Sequence, residues 1–235
     1  METEFTLSLP QWLTDLMPGL PLSLQTLDER MELVNSLADR NFREGNGGPF
    51  AAIVVDAVTG ELVSVGVNVV LSSGIAGAHA EIMALGLAQR ATGSWDLGAD
   101  PERPLELVVN WRPCAMCYGA TMWSGVRRLV VAGAGAELEA LTGFDEGPIR
   151  EDWAEQIEER GITVVQGIGR DEALRVFREY GEADALVYNA RNGGSLRHAS
   201  DRLPKEASAA GLRLGLFGGS SVRRRHRPRL PDGGG

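Results

Sequence analysis

The chain has 235 residues, 43% of them apolar and 23% charged, with a formal net charge of −9. That is enough apolar chain for one sizeable core, which excludes disorder throughout. No uninterrupted apolar run nears the ~18 residues of a membrane span, and the acidic start METEF lacks the basic region of a signal peptide, so a cytoplasmic protein is expected. Residues 1–27 are rich in Leu and Pro and read as an irregular or short-helical lead-in that packs Trp12 and its leucines onto the domain. The spacing of Met31, Val34, Leu37, Ala38 and Phe42 predicts a helix over 28–43, stopped by Gly45. Two β-rich runs, 51–56 and 61–70, meet at Thr59-Gly60 as a hairpin. There follow a helix over 78–91, a strand over 105–110, a helix over 114–124 and a strand over 127–133. A helix over 150–160, a strand over 162–167 and a helix over 171–187 complete a domain of residues 28–190. This order predicts an α/β protein: a three-layer α/β/α sandwich around a five-stranded mixed sheet.

Charge divides the chain at the same boundary. Residues 1–190 carry 13 basic and 29 acidic side chains, whereas residues 191–235 carry 10 and 3. The body is thus at −16 and the Gly/Ser/Arg-rich remainder, expected to be a disordered basic tail, at +7. A body this negative repels a phosphate backbone, which makes structured nucleic acid an unfavourable partner.

Two short motifs carry chemistry. His79-Ala80-Glu81 and Pro113-Cys114-Ala115-Met116-Cys117 each sit where a loop opens into a helix, at the carboxyl end of a strand or hairpin. Open α/β sheets place their ligands at such ends. A lone histidine at a helix start is more often a cap, and a lone CxxC can be two buried small residues. Their separation of about 35 residues is the pattern of a zinc deaminase. The body offers one histidine and two cysteines, and three ligands leave a position open where a structural zinc would take four. Glu81, two residues from His79, is then the group that moves protons. A thioredoxin-like use of CxxC would leave the HAE motif unexplained.

With these residues in hand, the chain resembles the zinc-dependent cytidine and deoxycytidylate deaminase superfamily, and within it the bacterial guanine deaminases. The resemblance covers roughly residues 28–189 and rests on GGPF at 47–50, Asn68, HAEIMAL at 79–85, PCAMCYGA at 113–120 and GFDE at 143–146. It implies a cytidine deaminase-like fold, one Zn2+ per subunit on His79, Cys114 and Cys117, and Glu81 as the catalytic acid and base. It further implies a substrate pocket with Phe50 against the base and Asn68 and Glu146 hydrogen-bonded to it. Tyr188, a better match than Tyr180, would close the pocket, and Trp123 would line it. The expected protein is a homodimer, with exchange of the C-terminal segment in some relatives, acting on a small nucleobase-like substrate. The expected reaction is guanine to xanthine plus ammonia. Deamination of another aminated ring or nucleoside, or a non-catalytic zinc-binding module, are the alternatives. The chain departs from the family at Asn110-Trp111-Arg112, where Ser/Thr-x-Glu usually precedes the PC pair.

Overall fold

The computed structural model describes residues 1–190, so the expected basic tail at 191–235 lies outside the described residues. Its strands are β1 (Ala51–Asp56), β2 (Leu62–Val67), β3 (Leu105–Val109), β4 (Arg128–Val131) and β5 (Thr163–Gln166). Its helices are α1 (Gln11–Leu16), α2 (Leu27–Arg43), α3 (Val70–Ser73), α4 (Ala80–Thr92), α5 (Ala115–Ser124), α6 (Glu137–Thr142), α7 (Trp153–Glu158) and α8 (Arg170–Glu182). Every residue of β1 is buried, as in a strand covered on both faces. Its side chains alternate between two cores, Ile53 and Val55 in one, Ala52 and Val54 in the other, as the two-residue period of a strand requires. The first core takes Leu13 of α1, Met31 and Leu37 of α2, and Val176 and Phe177 of α8. The second takes Ala84 and Leu85 of α4 and Trp153 and Ile157 of α7. The three-layer arrangement expected from the sequence is therefore present.

The sheet order is β2-β1-β3-β4-β5. β1 is antiparallel to both its neighbours, while β3, β4 and β5 run parallel. Four strands thus point one way and β1 alone the other. The start of β1 and the ends of β2 and β3 share one edge, with Ala51 opposite Val67 and Ala52 opposite Val109. That edge carries the site.

Local chemistry explains where the elements differ from expectation. The β-branched run after Gly66 reads as strand to residue 70, but β2 ends at Val67. There the Asn68 Oδ1 accepts from the Val70 N–H at 3.1 Å and turns the chain into α3, a side-chain substitute for a ladder bond. The last helix ends at Glu182, five residues early, and Asp184 follows with φ +50°, a left-handed conformation that no helix continues. The lead-in is a short helix whose Leu13 is fully buried in the first core, with Trp12 packed at its margin. Among the described residues no helix is long and apolar enough to cross a membrane.

One buried charge cluster ties the layers together. Glu106 of β3 has no exposed surface, and one of its oxygens accepts from Arg30 of α2 at 2.5 Å. Its other oxygen accepts from Arg128 of β4, and Arg30 also donates through Nε to the Leu24 carbonyl at 2.9 Å. Removing one partner of such a pair strands a buried charge and costs about 3–5 kcal/mol. Glu106→Gln is expected to lower stability by about that amount, read from the denaturant midpoint of the purified chain. A loss below about 1 kcal/mol would mean that Arg30 reaches water without its carboxylate.

Candidate active site

Helix α4 can reach the sheet edge because residue 66 is glycine. A Cβ there would lie 2.3 Å from the Ala80 carbonyl oxygen and 2.4 Å from the Ala84 nitrogen, so any side chain would push the helix off β2. His79 caps α4 and Glu81 stands in its first turn. Cys114 caps α5, which follows β3, and Cys117 stands in the first turn of that helix. The two helix starts bring His79 Nδ1 and Cys114 Sγ to 3.5 Å, and the candidate ligand atoms of His79, Cys114 and Cys117 all lie within 4.8 Å of one another. Tetrahedral zinc with bonds of about 2.0–2.3 Å holds nitrogen and sulfur ligands about 3.5–3.8 Å apart. The donor set therefore fits one zinc ion, with a fourth position free for water or substrate.

Charge in this cluster is arranged by burial and hydrogen bonding. The Cys114 thiol is brought down to about 4, chiefly by the hydrogen bond from Cys117 against the opposing cost of burial, with His79 assisting. Cys117 is pushed well above the usual thiol range by that same bond and by burial. The pair thus favours a thiolate at Cys114, and because both thiols must be deprotonated to hold zinc, zinc uptake weakens as pH falls. Glu81 is 6% exposed, and burial, then the negative charge on Cys114, raise its carboxyl pKa while His79 opposes the rise. A carboxyl poised in this way exchanges protons more readily near neutral pH than a solvated one.

Beside the cluster lies a cavity of about 190 Å3, lined by Phe50, Glu81, Arg112, Phe144, Glu146 and Tyr188 among others. Sites for drug-sized ligands run to about 300–1,000 Å3, so this one takes a small ring. Phe50 precedes β1 at the same sheet edge, its ring 5.4 Å from Phe144 and 5.9 Å from Phe177. Three asparagines hold its loop. Asn41 donates to the Gly48 and Asn68 carbonyls at 3.0 and 2.8 Å. Asn110 donates to the Pro49 carbonyl at 2.9 Å and accepts from the Ala51 N–H at 3.2 Å. The third, Asn68, is 1% exposed and lies outside the cavity lining, and its Nδ2 has no hydrogen-bond partner among the described residues. An unpaired buried amide is costly unless a ligand completes it.

The far wall comes from loops after β4 and α8. Glu146 is buried, and burial, then Cys114 and Glu81, raise its carboxyl to about 8, with His79 and Arg112 opposing. Positive charge added at the ligand set pulls that value down again. The Tyr188 hydroxyl accepts from the Gly48 N–H at 2.9 Å, and its ring lies 4.8 Å from Phe144. Tyr180 is a core residue whose hydroxyl donates to the Leu186 carbonyl at 2.7 Å. Of the two tyrosines, Tyr188 lines the cavity. Asn189, which carried no signal in the sequence, accepts from the Asp145 N–H at 2.9 Å and donates to the Gly143 carbonyl at 2.9 Å. Trp111 is a buried cavity residue wedged between Phe177, at 5.4 Å, and the Arg170 guanidinium, at 5.0 Å. Trp123 does not join them. It is 84% exposed, at the opposite end of α5 from the cysteines, and no part of it lines the cavity.

A three-ligand zinc centre with a buried carboxylate, set at a sheet edge beside a small ring-sized cavity, defines a zinc-dependent deaminase. The comparisons with known proteins agree. Residues 24–133 match the family described as the cytidine and deoxycytidylate deaminase zinc-binding region. The chain is 31% identical over 131 residues to guanine deaminase of Bacillus subtilis, covering 56% of this chain and 79% of that one. A guanine deaminase structure from Nitrosomonas europaea superposes with a TM-score of 0.72 at 42% identity, over 77% of this chain and 98% of that one. A related structure in complex with 8-azaguanine gives a TM-score of 0.73 at 41% identity, over 78% and 99% of the two chains. The chain belongs to the cytidine and deoxycytidylate deaminase family, and within it is similar to the guanine deaminases.

Proposed function

We propose that the protein hydrolyses guanine to xanthine and ammonia, with His79, Cys114 and Cys117 holding one zinc and Glu81 moving the protons. The observation that carries this reading is the buried Glu81 carboxyl, which lines the same small cavity as the candidate ligands His79 and Cys114. The similarity to guanine deaminases supports the choice of ring. Zinc in this site would supply the Lewis acidity that makes water a nucleophile near neutral pH. Glu81 takes a proton from the attacking water, passes it to the adjacent ring nitrogen, and delivers the second proton to the departing amine. Water thus supplies the oxygen of the new carbonyl and the hydrogen that leaves with ammonia. Phe50 offers a face for the ring, Asn68 an amide, and Glu146 an acceptor for ring N–H groups. Tyr188 closes the wall.

We take residues 28–190 as the catalytic domain of a cytoplasmic homodimer, a state that sedimentation of the purified protein reads directly. Any role of Trp123 in substrate binding would have to be played across a subunit contact, because it is remote from the cavity of its own chain. Metal analysis of the full chain, with ammonia release from guanine, guanosine, adenine, cytosine and ammeline, tests the function. The expected result is about one zinc per chain and one ammonia per xanthine formed from guanine. Zinc with no turnover on any ring would leave a binding module, and turnover of another ring alone would move the substrate.

A further inference from the structure

Two opposite charges line the cavity without pairing with each other. Arg112 and Glu146 both lie in its wall, yet among the described residues neither forms a salt bridge. The Arg112 main chain is fixed by its N–H on the Gly133 carbonyl at 2.8 Å. The Glu146 main chain is fixed by accepting from the Ala115 N–H at 3.0 Å. The backbone under each side chain is thus set by its own element, independently of any pairing between them. The Arg112 Nε is buried and has no acceptor among the described residues. Both face the same small cavity, and Arg112 draws the Glu146 carboxyl downward. An unpaired buried guanidinium N–H costs stability until an acceptor reaches it.

A carboxylate and a guanidinium lining one cavity offer an acceptor and donors to the same ligand. The complementary ligand edge is a donor next to an acceptor, the –NH–C(=O)– edge of a lactam. We propose that Arg112 is a specificity-determining residue that donates to the ring carbonyl of an oxopurine while Glu146 accepts from the neighbouring ring N–H. This rests on the function proposed above and narrows it to rings that carry an oxo group beside an N–H. A ring without that pair, such as 2-aminopurine, leaves both charges unmet. Arginine is suited to the task because its planar fork stays charged and pairs readily with carbonyl acceptors of a purine. The family's usual acidic residue at this position would leave two acceptors and no donor.

Equilibrium titration of the zinc-loaded full chain with 8-azaguanine and with 2-aminopurine tests this, in the native protein and in Arg112→Met and Arg112→Lys. A charge-assisted hydrogen bond corresponds to about a 10- to 100-fold change in affinity. Arg112→Met is expected to weaken 8-azaguanine by that factor and 2-aminopurine by less than about threefold. Arg112→Lys, which keeps the charge but loses the fork, is expected to lose several-fold on 8-azaguanine alone, and it serves if the Met variant fails to fold or to hold zinc. Equal losses on both ligands, or no loss on either, would overturn the assignment. Tight binding of 8-azaguanine to a native protein that releases no ammonia from guanine would overturn the proposed function while leaving Arg112 to be judged by its variants. A native protein that binds neither ligand overturns both.

Discussion

Glu81→Gln is expected to lower turnover by about 10^3-fold or more while leaving close to one zinc per chain. Positioned general acid–base groups contribute about 10^2- to 10^4-fold, and this one serves both proton transfers, which places it at the upper end. The amide keeps the shape of the carboxyl, and Glu81 lies outside the set of His and Cys ligand atoms that converge within 4.8 Å. Zinc content and activity should therefore separate. Metal analysis together with ammonia release from guanine reads both. If zinc were lost along with activity, Glu81 would be supporting the metal site rather than the chemistry, and full activity would remove it from the mechanism.

Cys114→Ser is expected to abolish both zinc retention and turnover, with zinc falling below about a tenth of an equivalent after dialysis against a mild chelator. The Cys114 thiol is drawn down to about 4, whereas a serine hydroxyl has no comparable anion to offer near neutral pH. Removing it leaves two ligands. The fold should survive, because the two cores are built from strands and helices whose side chains meet without the metal. Far-UV circular dichroism close to that of the native chain is the accompanying expectation. A Cys114→Ser chain that keeps stoichiometric zinc would mean that the ion sits elsewhere.

Much of this arrangement is legible in the sequence because it depends on periodicity and residue scarcity. The β-rich run over 51–56 and the helical spacing from Met31 to Phe42 survive as β1 and α2 almost to the residue. One body histidine and two cysteines leave little choice of ligands. What is not legible depends on single side chains answering particular backbone groups. Asn68 ends β2 by accepting from Val70, and nothing in a run of valines announces it. The helix Glu137–Thr142 lies in a stretch too short for a periodic signal. Asn41 and Asn110 hold the loop before β1 from 7 to 61 residues away, a relation that no local pattern carries. Trp123 shows the opposite failure. An aromatic in the helix after the cysteines fits a pocket wall by resemblance, but α5 carries it away from the sheet edge where the cavity lies.

The chain order of these parts has a consequence for how the protein is made. The metal ligands are complete once residue 117 has been synthesised, but the cavity wall waits for Tyr188 and Asn189, after α8. At about 5–20 residues per second this is an interval of roughly 4–14 s on the ribosome. During that time a nascent chain can gather its metal ligands before it has a closed place for a base. The ligand residues and the residues that close the pocket are thus made at separate times, in that order.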